Sequence, residues 1–444
     1  MPVINLRDAL AKAAAADAVE GSEDQLALDY SHRHADDLRY CAQWGKWLHW
    51  DGRRWCLEPT LKAFDYARAV AHDYAKALDD GKLGSAKTVS AITQLARADR
   101  RHAATTDQWD TNIWLLNTPT GTIELPAGRL RSHNREDYIT KIAATAAGGS
   151  CPLWLQFLDR VTGGDGELVG YLQRVAGYCL TGSTREHAMF FCYGTGANGK
   201  GVFINTLTAL LGDYAAVAPM ETFLASKSDR HPTDLAGLRG ARLVTAQETT
   251  EGRRWDETKI KALTGGDPIS ARFMRQDFFT FVPEFKLLPA GNHKPGLRAV
   301  DEAIRRRLNL IPFRVTIPRV ERDPDLAEKL KTEWPGILQW AIEGCRFWRE
   351  RGLDPPPAVR DATEAYFEAE NAIGRWIEEQ CALDRTYFET IAVLYGNWNT
   401  WCEANGEFTG SQKRFSQALE DRGFERHREG SNGDRGFRGI ALRP

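Results

Sequence analysis

Between Phe190 and Leu207 the chain reads FFCYGTGANGKGVFINTL, in which Gly194, Thr195, Gly196, Ala197, Asn198, Gly199 and Lys200 satisfy the spacing G-x-x-x-x-G-K. Glycines at that spacing let backbone N–H groups curl around a phosphate at a helix N-terminus, and the lysine neutralises its charge. The next residue of such a loop should carry a hydroxyl for magnesium; here it is Gly201, followed by Val202. Hydrolysis of a bound nucleotide also needs an acid at the end of a neighbouring strand. Glu248, after the apolar run ARLVTAQ, takes the roles of general base and metal-side carboxylate, with Glu251 in reserve. Asn292, closing FKLLPAGN, is placed to sense a γ-phosphate or the attacking water, and Arg305, Arg306 and Arg307 are a source for an arginine finger. Taken singly, a Gly-rich turn recurs by chance and a triple arginine is more often a solvated helix face. Their order along the chain is the specific signal.

These groups act together only if strands deliver them to one edge. AMFFCYG, ARLVTAQ and FKLLPAG are short apolar runs ending in polar or Gly residues, the pattern of buried parallel strands feeding active-site loops. GVFINTLTALLG after the loop reads as a helix, so strand, loop and helix stand in the required order. Upstream, LRYCAQWGKWLHWDGRRWCLE holds two Trp-rich alternating runs around Asp51-Gly52, a hairpin signal, and WLLNTPTGTIELPAGRLRSH suggests two short strands around a Pro-Ala-Gly turn. Downstream, the three prolines of GLDPPPAV mark a boundary, and the chain closes with helices and a β-ribbon whose tip is Asn432-Gly433-Asp434. The expected organisation is an N-terminal extension (1–35), an α+β accessory domain (36–150), an α/β nucleotide core with a preceding helical linker (151–320), a helical extension (321–369) and a small C-terminal unit (370–444).

Composition sets the class. With 444 residues, 42% hydrophobic and 27% charged, the chain can bury two or three cores. A formal net charge of −2 gives no global basic field, so any nucleic-acid contact must come from local cations. The eight cysteines stand singly, with no C-x-x-C pair, and read as reduced, mostly buried residues. Charged residues interrupt the Ala-rich N-terminus and no run of about 20 uncharged apolar residues follows, which points to a cytoplasmic protein with no membrane partner.

Four segments in this order resemble a superfamily 3 helicase of the phage/plasmid primase-helicase family, to which the poxvirus primase-helicase is related: GTGANGKG, RLVTAQET, IKALTGGDPISARFMRQDFFTFVPEFKLLPAGN and RRRLNLIPF. The W-x-x-W-D-G-x-x-W and N-T-P-T-G regions resemble the accessory domain that precedes the motor in that family. The resemblance implies an α/β fold: an AAA+-like P-loop ATPase core with an α+β N-terminal accessory domain and a C-terminal winged-helix domain. It also implies ATP and Mg2+ as cofactors, a homo-hexameric ring around DNA, and ATP between subunits. Carried over by position, Lys200 binds phosphate, Glu248 serves magnesium and water, Asn292 is the sensor and Arg306 is the first choice for the finger, with Arg307 second. Phage members of the family often have Gly at the position of Gly201, where magnesium can keep a water. Gln247 stands where many relatives have a second acid.

DNA contacts are expected in two places. DPISARFMRQDFFTFVPEF alternates around Arg275-Gln276, and in the resembling helicases a hairpin here lines the channel, so Arg275, Gln276, Lys261 and Arg272 are candidates. At the C-terminus, SQKRFSQALEDRGF followed by a ribbon with Arg426, Arg428, Arg435 and Arg438 suggests a winged helix, with Lys413 and Arg414 at the helix start. The expectation is an ATP-dependent helicase acting on single-stranded, duplex or forked DNA in the replication of a phage, plasmid or integrated element, in the host cytoplasm. A separate primase or initiator is the further partner, because HRHADDLRY is no apolar D-x-D strand and primer synthesis is not expected. An ATP-dependent loader or remodeller that binds DNA without unwinding is the alternative. A structural origin-binding protein with a dead nucleotide site is disfavoured by the four motifs.

Overall fold

The computed structural model describes residues 19–226, 233–248, 253–274, 277–297, 300–429 and 434–444. Two compact units emerge: 1–123 with 130–142, and 124–129 with 143–444. No helix among the described residues is long and apolar enough to cross a membrane.

In the first unit, helix α1 (Glu23–His34) is capped by Ser22, whose side chain accepts from the Gln25 N–H. Its buried face, Leu26 and Tyr30, joins Leu38, Trp47, Val70 and Val89 in one core. The stretch expected as an extension therefore contributes a core helix. Strands β1 (Leu38–Cys41), β2 (Lys46–Trp50), β3 (Trp55–Leu57) and β4 (Ala103–Ala104) form a sheet in the order β3-β2-β1-β4. Asp51 closes the β2–β3 turn by accepting from the N–H groups of Arg53 and Arg54. Helices α2 (Lys62–Ala77) and α3 (Ala86–Ala98) cover this core. The N-T-P-T-G region gives three strands where two were expected, β5 (Leu115–Thr118), β6 (Gly121–Glu124) and β7 (Arg129–Arg131), because the chain also turns tightly at Pro119-Thr120.

In the second unit, helices α4 (Pro152–Thr162) and α5 (Gly166–Cys179) precede strand β8 (Met189–Tyr193). After the loop come helix α6 (Lys200–Leu211), β9 (Ala215–Val217), the short helix α7 (Thr233–Ala236) and β10 (Leu243–Gln247). Helix α8 (Glu257–Gly265) and the hairpin β11 (Ile269–Ala271) and β12 (Phe279–Phe281) lead to β13 (Lys286–Gly291), helix α9 (Glu302–Arg305) and β14 (Leu308–Pro312). Strands β8, β9, β10, β13 and β14 make one sheet, all pairs parallel, in the order β14-β8-β13-β10-β9. Both faces are covered, which is why these strands are apolar runs rather than alternating ones.

Helices α10 (Leu326–Lys331) and α11 (Trp334–Arg351) belong to the body of this unit. α11 lies directly against α5: a Cβ at Gly177 would stand 2.0 Å from the Cys345 amide nitrogen, and one at Gly344 would stand 2.0 Å from the Gln173 carbonyl oxygen. The prolines read as a boundary start the 24-residue helix α12 (Pro357–Gln380), with Pro357 in its first turn. Residue 370 falls inside that helix. Ala362, Tyr366 and Phe367 pack into the parallel-sheet core, while Ala372, Ile373 and Trp376 pack into a second core. That second core is shared with β15 (Cys381–Ala382), α13 (Ile391–Asn405), α14 (Gln412–Asp421), β18 (Asp434–Arg438) and β19 (Ala441–Leu442), and the strands β16 (Phe388–Thr390) and β17 (Glu425–Glu429) complete the C-terminal unit. Three of these strands form an antiparallel sheet, β16-β18-β17.

Candidate nucleotide site

The carboxyl ends of β8 and β13 lie side by side, and the chain leaves them in opposite directions, from β8 toward the edge strand β9 and from β13 toward β14. A crevice forms at such a divergence, which is where open parallel sheets bind ligands. Tyr193 pairs with both Gly291 and Pro312, and Gln247 pairs with Ala290, so the loop after β8, Glu248 and Asn292 emerge at one edge.

The loop is shaped by its glycines. Gly196 and Gly199 have φ of 101° and 84°, and a Cβ at Gly199 would fall 2.5 Å from Val161 Cγ1. A Cβ at Gly194 would fall 2.1 Å from Asn198 Nδ2, which donates to the Phe313 carbonyl at 2.9 Å. Thr195 Oγ1 lies 3.4 Å from Thr316 Oγ1, and the Ala197 carbonyl accepts from the Ile317 N–H at 2.8 Å. Lys200 opens helix α6, whose first N–H groups are its unsatisfied donors.

The Lys200 ammonium is buried and donates to three neutral oxygens: the Gly194 carbonyl at 2.8 Å, Asn198 Oδ1 at 3.0 Å and Asn292 Oδ1 at 3.2 Å. Among the described residues no carboxylate bonds to it, and burial, the largest cause, holds its pKa below the ordinary lysine value, with Cys192 acting the other way. A buried cation with no counter-ion is electrostatically incomplete, and an anion at this edge completes it. Asn292 is brought to Lys200 as the sequence order requires. Glu248 is exposed at the end of β10 with φ of 71°, a left-handed conformation uncommon outside glycine and costing of order 1 kcal/mol or more. Glu251, its reserve, lies outside the described residues.

The three arginines have different fates. Arg305 makes a two-oxygen contact with Glu364 at 2.8 and 2.9 Å. Arg307 is buried and donates to Thr264 Oγ1 at 3.1 Å and the Ala303 carbonyl at 2.7 Å, so its side chain is committed within its own unit and is withdrawn as the second choice for a finger. Arg306 is exposed and, among the described residues, has no side-chain hydrogen bond or ion pair. All three precede Leu308, which pairs with Met189 at the start of β8, so they lie at the opposite edge of the sheet from Lys200.

Among the described residues no group of three or more His, Cys, Asp or Glu side chains could hold a metal by itself. A magnesium ion that keeps several waters and rides on a nucleotide's phosphates needs only one or two protein groups, and Glu248 with the neutral amides beside the loop fits that requirement. Gln247 donates to Asn205 Oδ1 at 2.6 Å, and Asn205 was not singled out in the sequence although it lies one helical turn after Gly201. Lys294 was also missed. Its amine lies 4.1 Å from the centroid of the Tyr193 ring, and burial, then Arg414 and Arg314, push its pKa down to about 8.

Of the DNA candidates, Arg275 and Gln276 lie outside the described residues. The hairpin itself is present, with Ile269 opposite Phe281. Arg272 lies 4.7 Å from the centroid of the Phe278 ring, and Lys261 is ion-paired with Asp301. Ser411 caps α14 by accepting from the Arg414 N–H at 3.2 Å. Arg414 is exposed with Glu370 at 3.8 Å, Lys413 is exposed at the same helix start, and Arg435 and Arg438 are exposed on β18. The expected ribbon tip at 432–433 lies outside the described residues.

Two family models match: "D5 N terminal like" over residues 28–163 and "Family of unknown function (DUF5906)" over 192–307. Similar curated proteins include "Putative helicase L207/L206" of Acanthamoeba polyphaga mimivirus (27% identical over 281 residues, 58% of this chain) and "Putative helicase 022R" of Frog virus 3 (26% over 258 residues, 53%). A third, "Putative helicase 184R" of Invertebrate iridescent virus 6, is 28% identical over 357 residues, 70% of this chain. The chain spans only 28%, 26% and 37% of those proteins' own lengths. A solved structure of the NrS-1 C-terminal region (305–718) aligns with 90% of this chain and 96% of its own, at a TM-score of 0.46 and 8% identity.

Proposed function

From the premise that this chain belongs to the phage-type primase-helicase family, we propose that it is an ATP-dependent DNA helicase of superfamily 3, working as a ring. The observation that carries the proposal is the Lys200 ammonium, buried without a carboxylate partner among the described residues at the divergent edge of a parallel sheet. In this reading Lys200 and the N–H groups at the start of α6 hold the β- and γ-phosphates of ATP. When bound, Mg2+ offsets phosphate charge. Glu248 orients the attacking water and takes its proton, and Asn292, now bonded to Lys200, turns to the γ-phosphate. Arg306, which has no side-chain partner among the described residues, acts on the ATP of a neighbouring subunit, because its own loop is at the other end of the strands.

The parallel core is read as AAA+-like and the C-terminal unit as a winged helix. Support for the latter is the succession of helix, two short strands, two helices, a two-stranded ribbon and a last short strand, and Arg428 directly opposite Arg435. Like charges paired across a ribbon repel, and a phosphate relieves them. Single-stranded and forked DNA, contacted by the β11–β12 hairpin, are the proposed substrates, in replication of a phage, plasmid or integrated element.

The test is ATP turnover with and without single-stranded and forked DNA, with strand separation read in parallel. DNA-stimulated turnover and unwinding are expected, and both vanish in Lys200→Ala while the circular dichroism spectrum is unchanged. Turnover without strand separation moves the reading to a loader or remodeller. Full ATPase activity in Lys200→Ala removes the site.

A further inference from the structure

The loop departs from the usual pattern at Gly201 and the strand β10 departs at Gln247, and the fold places these two departures against each other. Among the described residues, and apart from its chain neighbours and its own helix backbone, a Cβ at position 201 would have one heavy atom within 4 Å, Gln247 Oε1, at 3.9 Å. Gln247 Nε2 donates at 2.6 Å to Oδ1 of Asn205, four residues along α6 from Gly201 and so on the same helix face. With the amide nitrogen engaged by Asn205, the amide oxygen is the end turned toward the space that a serine or threonine side chain would fill.

We infer that Gln247, aimed by Asn205, takes the place of the absent loop hydroxyl on the metal side of the nucleotide. The inference rests on the nucleotide-site reading above and adds to it a metal-side residue, Gln247, and a positioning residue, Asn205. A carboxamide oxygen is a neutral hard acceptor, as a hydroxyl is, and can ligate magnesium or accept from one of its waters. Gly201 is then required for its lack of a side chain: it leaves the approach to Gln247 open. Glu248 is left as the sole carboxylate of the described metal side, so much of the metal's hold comes from phosphates and waters. Groups that act through a metal's waters typically govern affinity by about 10- to 100-fold.

The experiment is calorimetric titration of the full chain with ATP, once in excess Mg2+ and once in EDTA, which isolates the gain in affinity that the metal confers. Gln247 and Asn205 are both exposed, so their variants are expected to fold. Gln247→Leu should lose about tenfold of the metal-dependent gain while binding ATP in EDTA as the parent does. Adding Gly201→Ser to Gln247→Leu should restore the gain, since the open space at 201 accepts a Cβ and the hydroxyl returns to its usual place. Asn205→Leu should lose part of the gain and Asn205→Asp, which keeps the acceptor for Gln247, should not. An unchanged metal-dependent gain in Gln247→Leu overturns the inference, as does an equal loss in EDTA, which would make Gln247 a structural residue. Lys200→Ala separates the two levels: if it binds ATP as the parent does, the nucleotide site itself is wrong, whereas if it loses ATP in both buffers and Gln247→Leu is silent, only the role of Gln247 fails.

Discussion

Glu248 holds a left-handed φ at the point where β10 meets the crevice, and local strain at such a position is retained where the surroundings impose it. As the proposed base, its replacement by glutamine keeps size and removes proton acceptance. Glu248→Gln should bind ATP with parental affinity and turn over about 10²- to 10⁴-fold more slowly. Single-turnover chemistry with direct ATP titration separates the two effects, and a normal rate would pass the role to Glu251. A different lysine governs stability. Lys286 is buried at the start of β13, donating to the carbonyls of Thr181, Ser183 and Glu284, and burial, the largest cause, pushes its pKa from 10.5 down to about 7. Between those values the unfolded chain holds the extra proton, so this group makes stability rise with pH from about 7 to 10.5, by up to about 1.4 kcal/mol per pH unit. Urea unfolding of the parent and Lys286→Met across that window should show the parent's slope flattened in the variant, which is also less stable because three carbonyls lose a donor.

Helices α5 and α11 touch backbone to backbone through Gly177 and Gly344, at positions with no room for any side chain. Such a contact fixes the covering layer of the sheet, and a branched side chain there must push the helices apart. Gly344→Val should cost on the order of 1–3 kcal/mol or more, read as a lower urea midpoint at unchanged m-value. An unchanged midpoint would mean that the helices slide without cost. Helix α12 has a different part. Its first half is core to the parallel sheet and its second half to the C-terminal unit, and Glu370 between them accepts from the Leu297 N–H, five residues beyond Asn292. Arg254 reaches the Asp421 carbonyl at 2.6 Å beside the same loop. The segment after Asn292 is thus bonded directly to the unit proposed as a winged helix, which gives the nucleotide edge a short mechanical route to it.

Arg306 lies at the edge of the sheet opposite Lys200, so in the proposed ring an Arg306 that acts on ATP would have to do so across subunits. Arg306→Ala should bind ATP normally and lose about 10³- to 10⁵-fold in turnover. Mixed with Lys200→Ala, itself inactive, it should recover part of the activity, because some interfaces then pair an intact loop with an intact arginine. The absence of recovery in mixtures shown by light scattering or crosslinking to share rings would count against action in trans.

The chemistry-bearing segments were legible in the residue string because each is local: the glycine spacing before a helix, the apolar runs of β8, β10 and β13, the serine cap of α14 and the arginine-rich ribbon all lie within a dozen residues. The family likeness rested on the order of those segments, and order is a property of sequence. The accessory unit was read less well, since α1 and the turn at Pro119-Thr120 carry weak local signals, and α1 gains its meaning from packing on Leu38 and Trp47. What needed three dimensions is whatever depends on strands being neighbours in space and distant along the chain. Lys200 and Asn292 meet across 92 residues, and Gln247 and Asn205 across 42, because hydrogen bonding sets β8 beside β13 and β10 beyond it. Burial distinguished three consecutive arginines that composition could not, turning Arg305 to Glu364 and Arg307 into the core and leaving Arg306 in solvent. Side-chain environment is a sum over neighbours that the chain acquires only on folding, so the sequence supplied the chemical groups and the packed sheet determined which of them share a site.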